Sequence, residues 1–110
     1  MLSINEHILG AGVRFSYTDA QGREIGRAFL YILHNNIHPE PFGLMEDVFV
    51  EEGSRGKGIG KKLVQKVIEA AQEAGCYKLI ATSRHSREEV HGLYEGLGFE
   101  DHGKEFRIDF

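Results

Sequence analysis

The sequence predicts an α/β domain built around one parallel crossover, and three observations carry that reading. An apolar run, Leu44–Val50 (LMEDVFV), feeds a loop with glycines at positions 53, 56, 58 and 60. Beyond the loop the apolar spacing becomes helical, with Ile59, Leu63, Val64, Val67, Ile68 and Ala71 on one face. Gly75 suits a helix stop, and Tyr77–Thr82 (YKLIAT) reads as a buried strand after it. Strand, helix and strand in that order make a parallel crossover.

The remaining elements follow from local signals. Val13, Phe15 and Tyr17 alternate with polar residues, as a half-buried strand does. Asp19–Gly22 is a turn, and Ile25–Leu33 (IGRAFLYIL) is the second arm of a hairpin. Asn35–Pro41 is a loop. Downstream, Ser86-Arg87-Glu88-Glu89 reads as a capping box, opening a helix whose inner face holds Val90, Leu93, Tyr94 and Leu97. Gly98 closes that helix, and Phe106–Phe110 (FRIDF) alternates as a last strand. No repeat, low-complexity stretch or linker interrupts the pattern, so residues 1–110 read as a single domain.

Composition narrows the class. An apolar share of 41% with 27% charged residues belongs to a folded chain rather than a disordered one. A net charge of −4 disfavours non-specific nucleic-acid binding. No apolar run reaches the roughly 18 residues of a membrane span, and MLSINEHILG lacks the basic and apolar regions of a signal peptide. One cysteine excludes an internal disulfide, which fits a reducing cytoplasm. His34 and His38 have ligand-like spacing, but Asn35, Asn36 and Pro39 place them in a loop, so no metal is expected. Cys76 lacks the partners of a thiol nucleophile.

Positive charge is instead concentrated at the glycine loop, in Arg55, Lys57, Lys61, Lys62 and Lys66. The loop fails the Walker pattern, because Arg55 stands where the first glycine is needed and Lys62 where Ser or Thr is. It fails the dinucleotide pattern too, with Lys61 or Leu63 in the place of the third glycine. What remains is Arg55-x-x-Gly58-x-Gly60 between a strand and a helix. Glycines let backbone close on an anion, and the free N–H groups of a first helical turn point at it. The loop therefore reads either as a phosphate cradle or as a plain turn joining strand to helix.

Following the strand EDVFV, Arg55-x-x-Gly58-x-Gly60 resembles the acetyl-coenzyme A pyrophosphate loop of the GNAT superfamily of N-acetyltransferases. Leu93-Tyr94-Glu95-Gly96-Leu97-Gly98-Phe99 resembles that superfamily's second motif, and the resemblance covers residues 13–110. It implies a GNAT-like mixed twisted sheet with flanking helices, here shortened at the N-terminus. It also implies acetyl-coenzyme A as co-substrate, no metal, and a primary amine as acceptor. Carried onto this chain, the resemblance assigns the coenzyme's phosphates to Arg55, Gly56, Lys57, Gly58, Ile59, Gly60 and Lys61. Backbone N–H groups of Val48, Phe49 and Val50 would meet the pantetheine and the carbonyl. Arg87 and Val90 stand where many members carry Asn and Ala, and an arginine there suits the coenzyme's phosphates.

Tyr94 is the implied acid beside the sulfur, and Glu46, in the strand lining the cleft, is the candidate base. Simple alternation sends Asp47 to the opposite face, and a bulge would reverse the choice between the two carboxylates. Gly75-Cys76-Tyr77-Lys78 and the Glu46-Asp47 pair also resemble glucosamine-phosphate acetyltransferases, without fixing an acceptor. The non-catalytic alternative is a module that keeps the fold and binds coenzyme A as a regulatory domain.

The chain departs from the family in length. Members normally carry one or two helices between the first and second strands, which help to wall the acceptor pocket, and here a short turn joins them. Ala28–Leu33 is also apolar on both faces. These two features predict a homodimer, with Phe29 and Tyr31 on the shared surface, unless the residues ahead of Val13 fold back over the exposed edge.

Overall fold

A computed structural model describes residues 10–110; the opening residues, and any part they take in covering a sheet edge, lie outside it. Four strands form one mixed sheet in chain order: β1 (Gly10–Thr18), β2 (Glu24–Leu33), β3 (Phe42–Val50) and β4 (Leu79–Ala81). β1 and β2 pair antiparallel around the predicted turn, where the Asp19 carboxylate accepts the N–H groups of Gln21 and Arg23 at 2.9 Å each. Gly22 takes the left-handed φ of 81° that this turn requires. β2 pairs antiparallel with β3, and β3 runs parallel to β4. The helix α1 (Ile59–Glu73) makes the crossover between those two, and α2 (Glu88–Gly96) follows β4. The mixed sheet, the hairpin and the parallel crossover are thus as expected.

One face of the sheet carries the core. Ala28 and Leu30 of β2 and Met45 of β3 pack with Ile59, Leu63, Val64, Val67 and Ala71 of α1, all of them buried. Burial of this stripe is the main source of stability for α1, since an isolated helix of 15 residues is marginal in water. Gly43 lets the layers close: a methyl group there would come within 2.9 Å of Leu79 Cδ1 and 3.1 Å of Leu30 Cδ1. On the opposite face of β2, the rings of Phe29 and Tyr31 stack at 6.3 Å, and Tyr31 stays exposed. Among the described residues, no helix is long and apolar enough to cross a membrane.

Three local expectations are corrected. The fourth strand is confined to Leu79–Ala81 rather than Tyr77–Thr82. Tyr77 N–H donates to Pro41 O, ahead of β3, and Thr82 lies past the last paired residues, Met45 and Ala81. The capping box does not form: α2 starts at Glu88 with Arg87 as its cap and no side-chain cap bond. A turn closed by Arg87 N–H to Arg84 O delays helix entry past Ser86. Finally, Phe106–Phe110 alternates as a strand should but forms none, because among the described residues no strand lies beside it to pair with its backbone.

Candidate active site

Parallel pairing of β3 with β4 stops at Met45 and Ala81, while β3 continues to Val50. From that point the side of β3 that faced β4 has no strand neighbour among the described residues, so backbone groups between Glu46 and Val50 open onto a gap. The gap is a cleft of about 1090 Å³. β3 forms one wall, the loop and first turn of α1 another, and Thr82–Arg84 with α2 a third.

The loop geometry follows from its glycines. Gly56 and Gly58 have φ values of 79° and 77°, a left-handed conformation in which an L side chain is strained. Gly58 is the N-cap of α1 and provides no side-chain cap, so the first N–H groups of the helix are left for another partner. Arg55 is braced from behind: its Nε donates to Val50 O at 2.9 Å, and its guanidinium lies 5.9 Å from the Phe49 ring centre. The rest of the fork remains free to meet an anion.

The carboxylates are arranged by a β-bulge that sequence periodicity cannot show. Arg27 faces Phe49 and Phe29 faces Glu46, so Asp47 and Val48 together oppose Ala28 alone. Asp47 takes the strain, with φ at 50°. As a result both Glu46 and Asp47 border the cleft. Asp47 is engaged by Arg27, whose Nε lies 3.1 Å from Oδ2. Glu46 is exposed and makes no ion pair or side-chain hydrogen bond among the described residues.

Tyr94 reaches the cleft from α2, its ring 5.3 Å from that of Phe99. Burial raises the phenol above its ordinary pKa, with Arg87 nearby working the other way, so the group is a proton donor at neutral pH. Val48, Phe49, Val50, Arg55, Gly56, Gly58, Ile59, Gly60 and Arg87 all line the same cleft, whereas Lys57 and Lys61 do not. Sequence reasoning missed Ser83 and Arg84, which line it too. Ser83 Oγ is buried there without a hydrogen-bond partner, as a group reserved for a ligand would be. Only their place, just past the strand that borders the gap, could have pointed to them.

Residues 5–99 match the acetyltransferase (GNAT) family. The chain belongs to that family. It is 37% identical over 89 residues to the glucosamine 6-phosphate N-acetyltransferase of Trypanosoma brucei brucei, covering 80% of this chain and 58% of that protein. Over 93 residues it is 29% identical to an aminoglycoside N(6')-acetyltransferase type 1 of Stenotrophomonas maltophilia, covering 82% and 61%. A solved acetyltransferase from Trypanosoma brucei superposes with a TM-score of 0.83 at 33% identity, covering 90% of this chain and 69% of that one. The chain therefore spans about three fifths of the length of these two curated relatives, and about a third to a half of several others.

Proposed function

We infer that the chain transfers an acetyl group from acetyl-coenzyme A to a primary amine. The observation that carries this reading is the meeting of a left-handed glycine loop at a helix N-terminus with Glu46 and Tyr94 on one cleft. The residues fit the coenzyme: an uncapped helix start with Arg55 suits a pyrophosphate, and the open side of Val48–Val50 suits the amides of a pantetheine arm. When bound, acetyl-coenzyme A supplies an acyl group activated as a thioester. Arg55, Gly56, Gly58, Ile59 and Gly60 hold its phosphates, with Lys57 and Lys61 adding charge outside the cleft and Arg87 facing them from α2.

Glu46 takes a proton from the acceptor's ammonium, directly or through water, leaving a neutral amine that can form the new N–C bond. Tyr94 holds a proton at Oη for the sulfur as the C–S bond breaks. Asp47, occupied by Arg27, is the weaker base, which favours Glu46. The acceptors named for two relatives are both amino sugars, which makes that class the first to test. A homodimer belongs to this reading, with a second copy completing the acceptor wall beside Phe29 and Tyr31. The open sheet face there also suits the second reading, a coenzyme A-binding module without catalysis.

Mass spectrometry of an amine panel incubated with acetyl-coenzyme A, including glucosamine 6-phosphate and an aminoglycoside, tests the proposal. The expected result is one acetyl group gained by at least one acceptor. Coenzyme binding in calorimetry without any acetylated acceptor would favour the module, and no binding would remove both readings.

A further inference from the structure

α2 brings Tyr94 to the cleft, yet the two usual ways of fixing a helix are weak there. None of its residues is buried, and its start has no side-chain cap. A different tie holds its first turn to the chain that enters it. His91 Nε2 lies 2.9 Å from Arg84 O, across seven positions of sequence. A carbonyl oxygen only accepts, so the proton belongs on Nε2 and His91 is the donor. Main-chain bonds run alongside: Arg87 N–H donates to Arg84 O at 3.1 Å, and His91 N–H to Arg87 O at 3.2 Å.

The ring's bond is not needed to satisfy Arg84 O, which already accepts the Arg87 N–H. What it adds is position. On one side of the joint stand Ser83, whose buried Oγ has no partner, and Arg84, both lining the cleft. On the other side stands α2, with Tyr94 one helical turn beyond His91 and also lining the cleft. His91 itself does not line it. A side chain outside the cleft thus joins two of its walls, at the place where packing holds them least.

We propose that His91 is a positioning residue. By donating from Nε2 to Arg84 O it fastens the Thr82–Arg84 wall to α2, and so sets where the Tyr94 phenol stands relative to that wall. It acts through Arg84 and Tyr94 and meets neither coenzyme nor acceptor. The proposal rests on the acetyl-transfer reading given above for its effect on turnover, whereas the tie itself is a property of the free chain.

Two substitutions separate position from packing. His91→Phe keeps an aromatic ring and loses the donor, whereas His91→Gln keeps an N–H donor near the place of Nε2. In the free chain, His91→Phe should speed amide hydrogen exchange at Arg87 and His91 by about tenfold, with α1 amides still protected. With acetyl-coenzyme A and the acceptor found in the amine panel, single-turnover transfer should slow about tenfold. Calorimetry should give acetyl-coenzyme A affinity within about twofold of the parent, because the glycine loop is launched from α1. His91→Gln should restore most of both losses. His91→Asn, whose amide reaches less far, takes the place of His91→Phe if that variant does not fold. Parent-like exchange and transfer in His91→Phe would overturn the proposal. Equal losses in His91→Phe and His91→Gln would overturn it too and leave His91 a packing residue. Faster exchange with unchanged transfer would show a tie that positions nothing, and would also overturn it. Because exchange is read without coenzyme or acceptor, failure of the tie and failure of the enzymatic reading are seen separately.

Discussion

The two helices carry apolar residues at the same spacing and end up in different situations. α1 buries Ile59, Leu63, Val64, Val67 and Ala71 against β2 and β3, whereas no residue of α2 is buried. Val90, Leu93, Tyr94 and Leu97 are only partly covered. The difference divides the cleft. Its glycine-loop side is launched from a helix locked into the chain's own core, so it is built before any ligand arrives. Its other side, with Tyr94 and the segment after Phe99, rests on thinner packing. Helical periodicity in a sequence specifies which face is apolar; how much of that face is covered depends on what the rest of the fold brings to it.

A matched pair of substitutions would break this comparison most directly. Leu63→Ala should cost about 3 kcal/mol, more than 100-fold in the folding equilibrium. Leu97→Ala, at a partly covered position, should lose less than half as much in the same urea titration. Equal losses would mean that the two helices contribute alike.

Tyr94→Phe sharpens the comparison at the chemical step. It should lower kcat about 100-fold and leave acetyl-coenzyme A affinity unchanged, since the phenolic proton serves only the departing sulfur. Because burial raises the phenol above its ordinary value near 10, the proton is retained through neutral pH. The midpoint of any activity loss from Tyr94 ionisation should therefore lie above that of an ordinary tyrosine. An unchanged kcat, with chemistry rate-limiting, would return Tyr94 to a packing role.

The smallest of the three effects is expected at the phosphate side. Gly58→Val places a branched side chain at a φ of 77°, and the left-handed penalty of roughly 1–2 kcal/mol should pull the loop out of its cradle. Calorimetry should then give about tenfold weaker acetyl-coenzyme A binding, with the circular dichroism spectrum unchanged. Identical affinities for Gly58→Val and the parent would remove the loop from the site.

Much of this architecture was legible in the residues themselves. The period change at Ile59, the turn at Asp19–Gly22 and the glycine loop are local signals, and each maps onto a local structure. What was not legible depends on neighbours. The length of β4 is set by where β3 leaves it, and the cap of α2 by a turn closing at Arg84. The FRIDF alternation predicts a strand that does not form, because a strand also needs a partner, which sequence pattern does not supply. At the site, the loop residues were found by spacing, whereas Ser83 and Arg84 carry no motif and are recognisable only once the gap beside β3 is seen.

The bulge in β3 has a consequence for how this chain can change. Glu46 and Phe49 are three positions apart, an odd step that should put them on opposite faces, yet they pair with Phe29 and Arg27 on a single face. The parity of the strand is therefore stored in one extra residue rather than in any side chain. Substitutions within Glu46–Phe49 alter the chemistry one group at a time. A one-residue deletion would make the ladder regular and leave the Met45 and Val50 ends on their present faces, removing only the kink that brings both carboxylates to the cleft. In this stretch the count of residues decides which carboxylates meet the cleft, and a relative aligned with a gap there would carry a differently wired cleft.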